Sequence, residues 1–367
     1  MADATVNTAA KITEALAGVV DVVAVYASKK EIIIKGTPHL NETETRLAVE
    51  KALGSHGRVI EILIYGASAV IKIAYSREEN SRRLPWTNIA LFALTVVSTL
   101  AAGAFWAGGM WDQNPWLIFS YPVQAIYAGI PFSVSILAIL LFHEFGHYIA
   151  ARIHGVNVSL PYFIPAPPII SPFGTLGALI ISKSPFINRK QLFDVGAAGP
   201  LAGLVVAIIV LFIGIGQSSI EQIPPDSGVV YMGESLLFKF ISYLLKGPIP
   251  KDSGLFISSM AFAGWVGLLV TMLNLLPLGQ LDGGRIIYAL FGRWQKLISK
   301  FVILGLVIMS FYWAGWLMWL IIGFFIRPTH PPTIMDEVPI GRNRELIGII
   351  SILAFIICFI PIPISFK

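Results

Sequence analysis

Residues 123–153 read VQAIYAGIPFSVSILAILLFHEFGHYIAARI, an almost uninterrupted run of apolar residues. It is long enough to cross the hydrocarbon core of a bilayer as a helix, which takes about 20 apolar residues. Its only charged side chains are Glu144 and Arg152. We therefore predict a membrane-spanning helix that carries a charged residue inside one of its ends.

The scarcity of charge extends through most of the chain. Of 367 residues, 56% are hydrophobic and 13% are Asp, Glu, Lys or Arg, about half of the charged fraction of a soluble domain. Residues 1–84 hold 21 of the 47 charged side chains, and Asp112 is the only one between Arg83 and Glu144. This composition excludes a soluble fold beyond residue 84, disorder and, with Cys358 as the single cysteine, a disulfide scaffold. The charge of +5 does not indicate nucleic-acid binding, because the basic residues flank apolar segments.

Residues 1–84 are predicted to form a small soluble α+β domain, and their start lacks the apolar core of a signal peptide. The predicted elements, in the order α-β-β-α-β-β, are Ala9–Ala17, Val19–Tyr26, Glu31–Lys35, Glu42–Leu53 with Asn41 as N-cap, Arg58–Tyr65 and Ala69–Tyr75. This order favours a four-stranded, largely antiparallel sheet covered by two helices. His39 and His56 are interpreted as loop residues, and no catalytic pattern is visible. We expect a regulatory or partner-binding domain, whose partner the sequence does not name.

Residues 85–367 are predicted to form a polytopic α-helical membrane domain with six or seven crossings. The apolar segments are Trp86–Gly109, Val123–Ile153, Leu192–Ile215, Leu255–Leu276, Trp294–Ile326 and Leu346–Pro361. Lys and Arg in short loops favour the cytoplasmic side, so Arg77, Arg82 and Arg83 predict a cytoplasmic N-terminal domain. The expected location is the cell membrane.

The fifth apolar segment, Trp294–Ile326, is too long for one helix across a bilayer core of about 30 Å. Trp313, Trp316 and Trp319 lie near its middle, where aromatic residues at the membrane interface would mark a turn. We predict a hairpin of about 294–312 and 315–326, which gives seven crossings. One long tilted helix, with six crossings, is the alternative.

The motif His143-Glu144-Phe145-Gly146-His147 lies within residues 123–153. Two histidines at positions i and i+4 share one face of a helix and can bind one metal ion. Glu144 follows the first histidine directly, where it can accept a proton from the attacking water. Ionisable groups at membrane depth are costly and by default functional. We therefore predict a zinc hydrolase site rather than a chance pattern.

A catalytic zinc site needs a third protein ligand. Cysteine is excluded as the third ligand, because Cys358 lies in the last helix, near the far end of the chain. The remaining candidates in this sequence are His154, His330, Asp194 and Asp282. His154 is assigned to the membrane interface, His330 to a stiff loop, and Asp194 to the start of the third crossing.

Asp282 is the choice for the third ligand. It belongs to the stretch NLLPLGQLDGGR at 274–285, in which Pro277 and glycines interrupt an apolar helix. The predicted topology puts this interruption at the level of His143 and His147. An interrupted helix at membrane depth is tolerated where it lines protein or a cavity.

The two motifs together resemble the site-2 protease family of intramembrane zinc metalloproteases. HEFGH at 143–147 in one helix and NLLPLGQLDGGR at 274–285 in a later one carry the resemblance. FDVGAAGPLAG at 193–203 and PFGTLGALI at 172–180 are similar to its prokaryotic and plastid-type branch. The resemblance covers roughly residues 120–290.

This resemblance implies that His143, His147 and Asp282 bind one zinc ion per chain and that Glu144 is catalytic. It also implies that Asn274 lies at the active site and hydrogen-bonds the substrate backbone or the reaction intermediate. The expected substrates are membrane-anchored proteins, cut within or near their transmembrane helices. The alternatives are a transporter, since broken helices also mark ion pathways, and a catalytically inactive helix-binding scaffold.

Three further segments carry architectural predictions. Val156–Ser184 contains β-branched and aromatic residues interrupted by prolines, and is predicted to form a re-entrant strand pair whose free edge receives an unwound substrate. Gly196, Gly199 and Gly203 give the third crossing a small-residue face for close packing. Tyr231–Lys246 is predicted to be an amphipathic helix on the outer membrane face.

Overall fold

The computed structural model describes residues 2–28, 31–53, 58–74, 84–108, 117–223, 230–325 and 329–366. His56, Tyr75, Arg77, Arg82, Arg83, Gly109, Asp112 and Ile326, which were named above, lie outside these ranges. The chain divides into two compact units. The first comprises Met1–Leu84, Ser182–Gln191 and Pro332–Pro339, and the second comprises Pro85–Ile181, Leu192–Pro331 and Ile340–Lys367.

The first unit contains a four-stranded sheet with the strand order β1-β2-β4-β3, in which all neighbours are antiparallel. Its elements are α1 (Ala2–Ala15), β1 (Val20–Ala27), β2 (Glu31–Pro38), α2 (Glu42–Leu53), β3 (Arg58–Tyr65) and β4 (Ser68–Ala74). The predicted order of elements is confirmed. The predicted N-cap is also confirmed, since the Glu44 backbone N–H donates to Asn41 Oδ1 at 3.0 Å. Helix α1 begins at Ala2 rather than Ala9, because no glycine or proline interrupts the earlier residues.

The two faces of this sheet carry different hydrophobic clusters, because alternate residues of a strand point to opposite sides. Ile34 and Ile71 pack with side chains of α1 and α2. Ile33 and Val70 point the other way and pack with residues of the two later segments of the unit. Both faces of the sheet are thus covered.

A buried ion pair lies on the second face of the sheet. Lys72 Nζ is 3.2 Å from Glu31 Oε2, and both side chains are less than a tenth exposed. Ser184 Oγ donates a hydrogen bond to the other carboxylate oxygen of Glu31. The charge of the first 84 residues is therefore not confined to the solvated surface.

The remaining elements continue the chain from residue 86. In order they are α3 (Trp86–Trp106), α4 (Leu117–Ser120), α5 (Pro122–Ile153), β5 (Tyr162–Pro165), β6 (Thr175–Leu179), α6 (Arg189–Gln217), β7 (Ser219–Gln222), β8 (Val230–Met232), α7 (Leu236–Lys246), β9 (Ser253–Phe256), α8 (Ser259–Asn274), α9 (Asp282–Phe291), α10 (Gln295–Ser310), α11 (Gly315–Phe325), α12 (Arg342–Cys358) and β10 (Ile364–Phe366).

Three of the described helices, α3, α5 and α6, are long and apolar enough to cross a membrane. They correspond to the first three predicted apolar segments. The hydrophobic core of the second unit includes fully buried side chains from three helices: Phe132 of α5, Leu211 of α6 and Trp265 of α8.

The predicted fourth segment, Leu255–Leu276, is not helical throughout. Strand β9 pairs with β7 in an antiparallel two-stranded sheet and takes up its first residues. Helix α8 starts only after Ser258, whose side chain accepts a hydrogen bond from the Ala261 N–H and caps the helix.

The predicted amphipathic helix Tyr231–Lys246 is shorter than expected. Tyr231 lies in β8, which pairs with β10. Ser235 is the N-cap of α7, accepting a hydrogen bond from the Phe238 N–H at 3.1 Å, so the helix covers only Leu236–Lys246.

The predicted break in the fifth segment is confirmed, because α10 and α11 are separate helices with a turn between them. Trp316 lies just after this turn and packs inside the protein. Its side chain is completely buried, and its Nε1–H donates to the Pro361 carbonyl at 2.8 Å.

The strand pair predicted within Val156–Ser184 is also confirmed. Strands β5 and β6 are antiparallel neighbours, with Phe163 opposite Ala178. Together they follow α5 and precede α6 in the chain.

Candidate metal centre

His143 and His147 lie one turn apart in the C-terminal half of α5. The i, i+4 spacing puts both imidazole rings on one face of the helix. Their Nε2 atoms are 3.1 Å apart, and both side chains are buried. The helix thus presents two nitrogen donors at one point.

Asp282 brings an oxygen donor to the same point from the first position of α9. Its Oδ2 atom is 3.1 Å from His147 Nε2 and 3.5 Å from His143 Nε2. Donors of a tetrahedral zinc ion with bonds of about 2.0–2.1 Å lie about 3.3 Å from one another. Among the described residues, these three side chains form a group that could hold a metal ion, and their spacing and atom types fit zinc.

Backbone and side-chain partners orient two of these donors. His147 Nδ1 lies 2.6 Å from the Val195 carbonyl oxygen. This contact favours a proton on Nδ1, which leaves Nε2 free to bind a metal. Arg285 Nη1 donates to Asp282 Oδ1 at 3.3 Å, so that Oδ2 faces the histidines.

Sequence reasoning did not identify these two partners. Val195 acts through its carbonyl oxygen, which gives no signal in a sequence. Arg285 does carry a signal, because it lies three residues after Asp282 and at that spacing shares a helix face with it.

The glycines of α6 lie against the two histidines. A Cβ on Gly199 would overlap the His147 ring, and a Cβ on Gly203 would lie 3.1 Å from His143 Cβ. A Cβ on Gly196 would lie 3.0 Å from Arg285 Cβ. The close packing predicted for this face is confirmed, and the structure shows that the site residues are what it packs against.

Glu144 and Asn274 lie near the donor group but are not part of it. Glu144 is buried in α5 beside His143. Asn274 is the last residue of α8, and its Nδ2 atom is 3.4 Å from His143 Nε2. The structure thus brings Asn274 to the edge of the donor group from a third helix.

His154 and Asp194, both weighed as ligands, contact each other instead. His154 Nε2 lies 2.7 Å from Asp194 Oδ2. Arg344 binds the same carboxylate through two hydrogen bonds, from Nε at 2.8 Å and from Nη2 at 2.7 Å. Asp194 does not cap or begin this helix as expected, because α6 begins at Arg189. The carboxylate instead joins the ends of three helices, which agrees with the structural role expected for it.

His330 also lies outside the donor group. Its backbone N–H donates to Gln295 Oε1 at 2.8 Å, and its ring contacts that of Tyr288 with centroids 5.3 Å apart. These contacts agree with the structural role predicted for the loop.

Comparison with known proteins identifies the family to which this arrangement belongs. The family model of peptidase family M50 matches residues 131–313, a range that includes all three donor residues. The chain belongs to peptidase family M50.

Relatives in this family are named as zinc metalloproteases. "Probable zinc metalloprotease EGY1, chloroplastic" of Arabidopsis thaliana is 31% identical over 265 residues, which are 68% of this chain and 46% of that protein. "Probable zinc metalloprotease EGY2, chloroplastic" of Oryza sativa subsp. indica is 31% identical over 238 residues, 62% of this chain and 42% of that protein. "Probable zinc metallopeptidase EGY3, chloroplastic" of Arabidopsis thaliana is 28% identical over 300 residues, 76% of this chain and 49% of that protein.

The chain therefore spans less than half the length of these curated relatives. No solved structure matches it significantly.

Proposed function

We propose that this chain is an intramembrane zinc metalloprotease, which hydrolyses peptide bonds within or near the transmembrane helices of its substrates. The observation that carries the proposal is the approach of three donor atoms, His143 Nε2, His147 Nε2 and Asp282 Oδ2, to within 3.1–3.5 Å of one another. Membership of peptidase family M50 and the names of the relatives support it.

Zinc is the ion that this donor set suits. Two imidazole nitrogens and one carboxylate oxygen are three protein ligands of the kind found in catalytic zinc sites, which leave a fourth position for water or substrate. When bound, zinc lowers the pKa of a coordinated water and polarises the substrate carbonyl. In this proposal the ion lies among buried side chains, because His143, His147 and Asp282 are each less than a tenth exposed.

Glu144 is the general base and acid of the proposal. It is buried next to His143 in α5 and lies outside the ligand group. Its carboxylate accepts the proton of the attacking water and delivers it to the leaving amine when the peptide bond breaks. Glu144 thus needs no direct bond to the metal.

Asn274 contributes a hydrogen-bond donor. Its Nδ2 atom, 3.4 Å from His143 Nε2, lies close enough to the donor group to reach a bound substrate. A side-chain amide in this place stabilises negative charge that develops on the substrate carbonyl oxygen, or binds the substrate backbone.

The strand pair β5–β6 is the proposed docking edge for substrate. A peptide bond inside a helix is shielded by the helix's own hydrogen bonds, so the substrate must unwind before it is cut. Each strand of a two-stranded sheet keeps one edge for another strand, and main-chain pairing holds an extended peptide there. Leu176 of β6 is exposed and offers an apolar side chain next to the free edge of that strand.

The proposed location of the chain is the cell membrane. In the proposed orientation, its N-terminal residues lie in the cytoplasm. Arg77, Arg82 and Arg83 support it from the sequence. The separate helices α10 and α11 favour seven crossings over six. The N-terminal α+β region is proposed to regulate the membrane domain through a partner of its own.

Zinc-dependent cleavage in a defined membrane tests the function. The purified chain is reconstituted into liposomes with a membrane-anchored reporter, and zinc content and cleavage are measured before and after a zinc chelator. We expect cleavage within or near the reporter's membrane segment, its loss with the chelator and its return with added zinc. Cleavage that persists after complete removal of zinc would contradict the proposal, and ion flux without cleavage would indicate a transporter.

A further inference from the structure

Gln295 is a polar residue that is almost completely buried and that neither motif includes. It is the first residue of α10, with a relative exposure of 1%. Burying a side-chain amide costs free energy unless its hydrogen bonds are formed inside the protein. The hydrogen-bond partners of this amide therefore indicate which parts of the chain Gln295 holds together.

Both ends of the Gln295 amide are bonded to backbone groups. Nε2 donates to the Gly279 carbonyl at 2.9 Å and to the Gly284 carbonyl at 3.1 Å. Oε1 accepts from the His330 N–H at 2.8 Å. An amide nitrogen has two N–H donors, so both are used, and these partners allow only this orientation of the amide.

The two carbonyls bracket Asp282 in the chain. Gly279 belongs to the loop between α8 and α9, whereas Gly284 belongs to the first turn of α9, two residues after Asp282. A Cβ on Gly284 would overlap the Gly279 carbonyl oxygen. The loop therefore folds directly onto the helix turn that carries Asp282, and Gln295 is bonded to both parts.

A second residue of α10 contacts the same loop. Ser299 lies four residues after Gln295, on the same helix face, and its Oγ donates to the Pro277 carbonyl at 3.1 Å. Helix α10 thus contacts the loop at two points one turn apart, and only Gln295 bonds to both the loop and the first turn of α9.

We infer that Gln295 is a positioning residue for the metal centre. Its amide fixes the loop 275–281 against the first turn of α9 and so keeps Asp282 Oδ2 at its distances of 3.1 and 3.5 Å from the histidine nitrogens. The inference rests on the proposed function, because it assumes that Asp282 binds the metal. Residues that orient a metal ligand typically contribute about 10- to 100-fold to metal affinity or activity.

The test measures zinc affinity of the full chain by competition with a chromogenic chelator, together with the visible spectrum of the Co2+-loaded protein. Gln295→Glu keeps the acceptor for the His330 N–H but turns oxygen lone pairs towards the two carbonyls. Ser299→Ala removes only the bond to Pro277 and serves if Gln295→Glu does not fold. Ser351→Ala is the control, since Ser351 is also buried but, among the described residues, bonds within its own helix, to the Ile347 carbonyl.

We expect Gln295→Glu to lower zinc affinity by about 10- to 100-fold and to change the Co2+ spectrum, with a loss in the same direction for Ser299→Ala. Ser351→Ala should lower the Tm without either effect. Unchanged affinity and spectrum in Gln295→Glu, or in Ser299→Ala if only that variant folds, would overturn the inference. If the wild-type chain binds zinc but does not cleave a membrane-anchored reporter, the proposed function fails while the positioning of the metal ligand by Gln295 can still hold.

Discussion

Gly199 of α6 lies directly against the imidazole ring of His147, with no space between them for a side chain. The Nδ1 atom of the same ring lies 2.6 Å from the Val195 carbonyl oxygen, which also belongs to α6. One turn of α6 therefore fixes both the position and the orientation of His147, the proposed metal ligand of α5. The small-residue face of α6 is in this respect part of the site.

Gly199→Ala should separate metal binding from folding. The added Cβ would overlap the His147 ring, and the ring cannot move without leaving the Val195 carbonyl and the other donors. We expect zinc affinity to fall by about 10-fold or more, as measured by chelator competition on the purified chain.

Gly216→Ala is the matched control for that variant. Gly216 lies in the same helix, but a Cβ there meets nothing within 4 Å. Its zinc affinity should equal that of the wild type. Equal affinities in the two alanine variants would show that α6 does not fix His147.

The Asp194–Arg344 pair should stabilise the fold measurably. Its geometry is bidentate, at 2.8 and 2.7 Å, and both side chains are only a quarter to a third exposed. We expect Arg344→Ala to lower the free energy of unfolding by more than the roughly 1 kcal/mol of an exposed pair and by less than the about 3–5 kcal/mol of a fully buried one. Thermal unfolding in detergent measures the effect.

The Arg46–Glu42 pair gives the comparison for that experiment. It is an exposed i, i+4 pair on α2, and Arg46→Ala should change stability by no more than about 0.5 kcal/mol. If Arg344→Ala had as small an effect, the contact around Asp194 that joins three helices would not stabilise the fold.

The sequence predicts those parts of the site that depend on local spacing. His143 and His147 share a helix face because they are four residues apart, and Asp282 stands out because Pro277 and glycines interrupt an apolar segment around it. Alternating strands and the Asn41 cap likewise predict the order of the N-terminal elements and the bounds of α2 and β3, although α1 begins seven residues earlier than predicted. These features follow from periodicities and backbone preferences that act over a few residues.

Contacts between distant parts of the chain were not predictable in this way. The Val195 carbonyl at His147 and the Gln295 amide at Gly279 and Gly284 depend on how helices pack. Asp194 was expected to begin a helix, but its partners, His154 and Arg344, are remote in sequence. Only the packed structure brings these groups within hydrogen-bond distance.

The buried Glu31–Lys72 pair offers a further test of the first unit. Lys72→Met leaves the Glu31 carboxylate buried without its charge partner, which we expect to cost about 3–5 kcal/mol of unfolding free energy. The double variant Glu31→Leu/Lys72→Met removes both charges and should recover much of that loss. Chemical unfolding, monitored by hydrogen exchange of β2 and β4, measures both. A double variant no more stable than Lys72→Met would contradict this account of the pair.

Glu144→Gln tests directly whether Glu144 is the general base of a zinc-dependent protease. The variant and the wild-type chain are compared in liposomes that contain a membrane-anchored reporter, with zinc content measured for both. The substitution preserves shape but removes the proton acceptor. We predict one zinc ion per chain in both proteins, and cleavage by Glu144→Gln reduced by about 10²- to 10⁴-fold. Cleavage by Glu144→Gln at the wild-type rate, with zinc retained, would contradict the account.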